Sequence, residues 1–167
     1  LIALRSFVAF FHEKNIPTVP TEKIKLPKNR KEHLIKFFDI EQLRRFFGAP
    51  DIKTATGRRD RAILETLFST GLRVSELCAL NRDIDLTRDE FSVRGKGEKV
   101  RVVFLSPAAK EAIKAYENKR GDVDEALFIQ MGRASKNADE LRLTPRSIER
   151  IVKSYAIKAG ITRKVTP

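Results

Sequence analysis

Apolar residues recur at helical spacing along most of the chain, broken by proline, glycine and charge. Between Leu1 and Lys14 they fall at Ala3, Phe7, Phe10 and Phe11, one face of an amphipathic helix. Such a face needs a partner, so residues 1–14 read as the last helix of an N-terminal helical domain. Residues 15–38 carry Pro17, Pro20 and Pro27 among lysines and read as an extended linker. Asp39 then offers an N-cap with Gln42 three residues on, resembling a capping box. Ile40, Leu43, Phe46 and Phe47 give the helix that follows its buried face, and Gly48 and Pro50 end it.

A second helix is predicted from about Arg58 to Thr70, with Ile63, Leu67 and Phe68 inward and Gly71 as its C-terminal turn. A short helix follows over Arg73–Leu80. The period then changes to two. In Phe91–Arg94 and Glu98–Phe104 the apolar residues Phe91, Val93, Val100, Val102 and Phe104 alternate with mostly polar ones, and "GKG" joins the two strands as a hairpin. Ser106-Pro107 and Thr144-Pro145 both read as an N-cap followed by proline in the first helical turn. The first of these helices buries Ala109, Ala112, Ile113 and Tyr116, and Gly121 ends it. The second runs to Ala159 and buries Ile148, Ile151, Val152, Tyr155 and Ala159. Between them, Ala126–Ile129 reads as a short strand and "MGRASKNADELRL" as a polar, mobile loop. The expected class is mainly α (α+β), with a small antiparallel hairpin, and residues 39–167 form the main domain.

Composition narrows the partner. The chain has 167 residues, 41% of them hydrophobic, enough for a packed core. Its single cysteine, Cys78, sits among Val74, Leu77 and Leu80 and reads as a small core residue. One cysteine cannot form an internal disulfide, which fits a reducing cytoplasm. Two separated histidines and one cysteine make no metal site. No run is long enough to span a membrane, and the first residues lack a signal-peptide pattern. The net charge of +12 is concentrated: residues 21–36, 94–101 and 141–167 carry +4, +3 and +6, and the remainder −1. Concentrated basic segments on a nearly neutral remainder suggest a polyanion. On the last helix Arg146, Arg150 and Lys153 form a basic stripe, either a solvated face or one turned toward DNA.

Two cations stand out. Arg73 lies where a glycine turn meets a new helix, where backbone N–H groups attract phosphate and a guanidinium can hold two phosphate oxygens at once. Glu76, three residues on, is placed to orient it; the same pair also fits a plain surface contact worth a few tenths of a kcal/mol. Lys96 sits between Gly95 and Gly97 at the hairpin tip, with Arg94, Lys99 and Arg101 crowding the same hairpin. Glycines on both sides let the lysine swing toward a bound group, although a charged solvated turn has the same composition. The nucleotide-binding pattern G-x-x-x-x-G-K-S/T is absent.

Together, "GRRDRAILETLFSTGLRVSELCALNRDIDL" and "VRGKGEKVRVVFLSP" resemble the tyrosine recombinase (phage integrase) family, with Lys96 lying 23 positions after Arg73. "LTPRSIERIVKSYAIKAGI…VTP" resembles the stretch leading to that family's His-x-x-Arg box, and "LIALRSFVAFF…KIKLPK" the end of its core-binding domain plus linker. The resemblance implies site-specific DNA recombination by cleavage and rejoining through a 3′-phosphotyrosyl bond, with no metal and no cofactor. Under it Arg73 binds the scissile phosphate, Glu76 supports Arg73, and Lys96 protonates the leaving 5′-oxygen. DNA would be contacted by Arg94, Lys99, Arg101, Arg146, Arg150 and Lys153.

The implied partners are a double-stranded recombination site and other recombinase subunits, as a tetramer on paired sites. The family's second arginine, its histidines and its nucleophilic tyrosine follow the position of Thr166-Pro167. The expectation is therefore a catalytic domain incomplete at its C-terminal side and inactive in cleavage as shown. Tyr116 and Tyr155 precede that point on buried helix faces and do not map onto the nucleophile; His12 and His33 precede Arg73 and do not map either. The competing expectation is a non-catalytic DNA-binding relative.

Overall fold

Capping chemistry sets the helix starts. In the computed structural model, which describes residues 1–26, 37–95, 97, 99–131 and 141–167, the Asp39 carboxylate accepts from the Gln42 amide at 2.7 Å and starts α2 (Ile40–Gly48). Thr54 caps α3 (Ala55–Thr70) through the Gly57 amide. Ser106 and Thr144 cap α5 (Pro107–Glu117) and α6 (Pro145–Lys158), each with proline in the first turn. Gly71, at φ 59°, closes α3 in the left-handed conformation open to glycine. The five-residue α4 (Val74–Cys78) follows, and then the strands β1 (Glu90–Arg94) and β2 (Val100–Phe104), paired antiparallel.

The chain divides into two compact units, Leu1–Phe37 and Phe38–Pro167. The first holds α1 (Ile2–Glu13), with Phe7 and Phe11 edge to face at 4.5 Å, and a 3₁₀ turn at Thr21–Lys23. No residue of α1 is buried, and Phe7 and Phe10 remain about half exposed.

In the second unit α3 is central and packs along α5, with further contacts to α2, α6 and β2. Because neighbours surround it, α3 buries Ala62, Ile63, Leu64 and Thr66 rather than a single stripe. Two short β-bridges, Asn81 to Ala126 and Ile129 to Arg142, stand where a strand was expected at 126–129. They bring 126–129 into the core, where Ala126, Leu127, Phe128 and Ile129 are all buried. Residues 132–140 of the expected loop lie outside the described residues.

A buried polar network ties α3 to α6. The Arg59 guanidinium donates to one oxygen of Asp60 and to the Ile129 carbonyl, and the Tyr155 hydroxyl donates to the other oxygen of Asp60 at 2.9 Å. The ion pair is buried on both sides, and hydrogen bonds to the Ile129 carbonyl and from Tyr155 offset part of the cost of burying its charges.

Several side chains depart from their expected positions. Ile40 and Phe68 point outward, at 79% and 64% exposure. Gln42 completes only the N-cap half of the expected box, because its side-chain oxygen accepts from Arg163 instead. On α6 the fourth inward position is Ala156, with Ile151 only partly buried. On β2 the structure shows which side of the period-two pattern faces the core. Val100, Val102 and Phe104 are the outward residues, at 63%, 51% and 62% exposure, while Val103 is buried and pairs with Phe91. With a side-chain period of two, reading the strand one residue off turns every side chain to the opposite face. Arg101 therefore lies on the inner side, opposite Val93.

Candidate functional site

Arg73 is the N-cap residue of α4, and Glu76 begins the second half of that turn. The Glu76 carboxylate is 6% exposed and accepts four hydrogen bonds. Oε2 receives the Arg73 backbone N–H at 2.8 Å, and Oε1 receives Nη1 of Arg73 at 2.9 Å. Arg101 on β2 supplies the other two, Nη1 to Oε1 at 2.9 Å and Nη2 to Oε2 at 2.8 Å. The planar guanidinium fork meets the carboxylate edge to edge, a geometry lysine cannot make.

Arg101's hydrogen bonds, reinforced by the backbone and side-chain bonds of Arg73, hold the Glu76 carboxyl down to about 2 against the opposing push of burial. Glu76 is thus ionised at neutral pH. Two guanidinium groups share one carboxylate, so the cluster keeps one net positive charge.

That charge faces a groove of about 410 Å³ lined by Arg73, Ser75, Glu76, Ala79, Arg94 and Gly95. Arg73 is 62% exposed there, so it both touches the buried carboxylate and reaches solvent. Gly95 closes the foot of the hairpin, its amide donating to the Lys99 carbonyl at 2.9 Å. A Cβ on Gly95 would lie 3.1 Å from Glu76 Oε1, 3.4 Å from Arg101 Nη1 and 3.6 Å from Arg73 Nη1. Its φ is not positive; it is the close approach of the hairpin to the carboxylate that favours glycine here.

The arrangement can hold an anion against Arg73 while keeping that arginine's aim fixed from behind. One detail differs from the expected phosphate seat. The Arg73 amide is not free for an anion, because Glu76 takes it, and the groove's charge comes from the guanidinium groups.

The structure brings Arg73, Glu76, Arg94 and Arg101 together. Lys99 is exposed beside them at the hairpin foot. Lys96, the expected acid, and His33 lie outside the described residues. Arg146, Arg150 and Lys153 are exposed on α6, and no α6 residue lines the groove at Arg73. Neither tyrosine is available as a nucleophile in this arrangement. Tyr116 is 1% exposed, its oxygen accepting from the Ile129 amide, and Tyr155 is 7% exposed and engaged with Asp60. Burial pushes both phenols above their ordinary range. Cys78 is buried, and burial also raises its thiol. Among the described residues no group of histidine, cysteine and carboxylate side chains could hold a metal ion, and no helix is long and apolar enough to cross a membrane.

The sequence places Arg101 among the DNA contacts; its engagement with Glu76 and the steric role of Gly95 emerge only from the structure. The signal for both was the parity of β2. Arg101 shares a face with Val103 and Leu105, both buried, and the hairpin glycine nearest that face is Gly95.

Comparison with known proteins places the chain in a family. The model of the phage integrase family matches residues 36–167. The tyrosine recombinase XerC of Myxococcus xanthus is 38% identical over 178 residues, covering 100% of this chain and 57% of its own length. The XerC of Chlamydia muridarum is 38% identical over 170 residues, covering 100% of this chain and 53% of its own. The chain thus spans a little over half the length of these relatives. Among solved structures, XerA recombinase superposes with a TM-score of 0.64 at 26% identity, over 99% of this chain and 55% of that one. The XerH recombinase bound to a palindromic difH substrate gives 0.66 at 20% identity, over 90% of this chain and 44% of that one, a likeness of fold. With its family match running through the whole second unit, this chain belongs to the phage integrase family.

Proposed function

We propose that this chain carries the first-arginine half of the active site of a site-specific DNA recombinase. The observation that supports this reading best is the Arg73–Glu76–Arg101 cluster facing a groove beside the hairpin foot. Arg73 takes the scissile phosphate, and its charge compensates the negative charge that builds on the non-bridging oxygens in the five-coordinate transition state. A preorganised donor of this kind contributes on the order of 10²–10³ in rate. Glu76 holds Arg73 in place. Lys96 gives its proton to the leaving 5′-oxygen as the P–O bond breaks, a general-acid step worth roughly 10²–10⁴.

The phosphate is passed to a tyrosine oxygen, forming a 3′-phosphotyrosyl bond that conserves the energy needed to reseal the strand. Buried Tyr116 and Tyr155 do not supply that oxygen. Arg94, Lys99 and the Arg146–Arg150–Lys153 stripe hold the DNA backbone. Recombinase subunits assemble as a tetramer on paired double-stranded sites, in the cytoplasm.

The test is formation of a covalent protein–DNA adduct on a nicked duplex carrying a recombination site, using the protein expressed from its complete reading frame. An adduct that disappears in Arg73→Ala while DNA binding survives supports the reading. DNA binding with no adduct supports the second reading, a non-catalytic relative that occupies its sites.

A further inference from the structure

Three features converge on the back of Arg73. Arg101 grips both oxygens of Glu76 from β2. Glu76 grips both the backbone and the side chain of Arg73 from α4. Gly95, adjacent in sequence to Lys96, sits so close to this cluster that a single methyl group would meet the Glu76 carboxylate at 3.1 Å. One carboxylate therefore joins two elements that are separate in the chain, the α4 start and the hairpin foot.

We propose that Arg101 is a positioning residue for strand cleavage, coupling the aim of Arg73 to the placement of the hairpin that carries Lys96. Gly95 permits the coupling by letting the hairpin seat against the pair. The inference rests on the recombinase reading and goes beyond it, since Arg101 itself touches no DNA in this role. The physical need is alignment. A phosphate held by Arg73 and a proton delivered from residue 96 must meet at the same bond, and misplacement of about 1 Å is enough to cost roughly 10²-fold. Both guanidinium nitrogens of Arg101 that face Glu76 are occupied, which makes Arg101 a support, whereas Lys99 and Arg94 stand toward solvent and the groove.

The experiment compares cleavage of two nicked duplexes, one with an ordinary 5′-oxygen and one with a 5′-bridging sulfur at the scissile bond. The protein from its complete reading frame is tested as wild type, Arg101→Ala, Arg101→Lys, Gly95→Ala and Arg73→Ala. Sulfur leaves with little protonation, so it relieves a misplaced acid but not a lost phosphate ligand. Arg101→Ala is expected to lower oxygen-substrate cleavage about 10- to 100-fold, the range for removing an outer-shell support, with the sulfur-to-oxygen rate ratio rising about tenfold. Gly95→Ala, which keeps every charge, is expected to show the same rise. Arg101→Lys is expected to fall with Arg101→Ala, because one ammonium cannot replace the fork. Arg73→Ala should gain nothing from sulfur.

Unchanged cleavage in Arg101→Ala overturns the inference. So does a fall in the salt dependence of DNA binding of about 0.9 in log–log slope, which would make Arg101 a phosphate contact. A loss in both Arg101→Ala and Gly95→Ala that sulfur leaves unrelieved also overturns it, by marking a purely structural role. A wild-type protein that forms no adduct on either duplex instead overturns the recombinase reading, and the inference with it.

Discussion

Arg101 and Glu76, 25 residues apart in sequence, meet through two parallel hydrogen bonds of 2.9 and 2.8 Å, with the carboxylate 6% exposed. This contact fastens β2 to the start of α4 and makes Glu76 the most strongly stabilised carboxylate described in the site.

The pair makes stability depend on acid. The Glu76 carboxyl is lowered from 4.5 to about 2 on folding. A depressed carboxyl contributes stability that is fully present above its unfolded value and is lost as the pH falls from about 4.5 toward 2. By linkage the contribution is up to about 3 kcal/mol. Thermal unfolding of this chain between pH 6 and pH 2.5 should show the loss. Glu76→Gln should be destabilised at pH 6 by about 2–3 kcal/mol, because Arg101 loses its charged partner, and should show a shallower acid slope. An acid slope as steep in Glu76→Gln as in wild type would assign the sensitivity to other carboxylates.

Two glycines should respond to the same substitution with opposite signs. A Cβ on Gly57 would sit 1.9 Å from the Asp51 carbonyl oxygen and 2.9 Å from Thr54 Oγ1, inside the turn that caps α3. Nothing lies within 4 Å of the corresponding position on Gly48, the last residue of α2. Gly57→Ala should destabilise by about 1–3 kcal/mol through overpacking. Gly48→Ala should stabilise by about 0.4–1 kcal/mol, since it restricts the unfolded chain without strain in the folded one. Urea unfolding of both variants checks the pair of signs.

These contrasts mark what the sequence made legible. Caps are local, so Asp39, Ser106 and Thr144, together with the left-handed turn at Gly71, could be read directly and set four element ends correctly. The family resemblance set Glu76 beside Arg73, and the two are hydrogen-bonded, while Lys96 lies outside the described residues. What could not be read locally was which side of an element met the rest of the chain. On β2, the period-two pattern does not say which side is inner: three apolar residues at even positions lie outside, while Val103 and Leu105 are buried. Apolar count was misleading there because the inner face also carries Arg101, a charge that is tolerated only because Glu76 approaches from a helix 25 residues away. Gln42 failed for the same reason, since its partner Arg163 lies 121 residues on.

Tyr155 tests how the core and the chemistry divide. Its hydroxyl donates to Asp60 at 2.9 Å inside the network that joins α6 to α3, and burial and the Asp60 charge push the phenol far upward. Tyr155→Phe should cost about 1.5–3 kcal/mol, the range for a hydrogen bond to a charged group. It should leave covalent adduct formation intact at a temperature where the variant is folded. Loss of the adduct from a folded Tyr155→Phe protein would reopen this tyrosine as the nucleophile.

The last prediction concerns how the basic surface divides between holding DNA and supporting chemistry. Arg146, Arg150 and Lys153 project from α6 into solvent, spaced four and three residues apart, so their charges lie along one side of the helix. If they rest on phosphates, each releases a condensed counterion on binding, and each replaced by alanine should reduce the slope of log affinity against log salt by about 0.9. The triple variant should therefore lose close to three units of slope and bind all duplex sequences more weakly, with specificity unchanged, because phosphates carry no sequence. Arg101→Ala should leave the slope as it is, its guanidinium being committed to Glu76. Fluorescence anisotropy with a labelled duplex from 50 to 200 mM salt measures both. A triple variant with an unaltered slope would return the α6 stripe to an ordinary solvated face, and DNA holding would then fall to Lys99, Arg94 and the other basic segments.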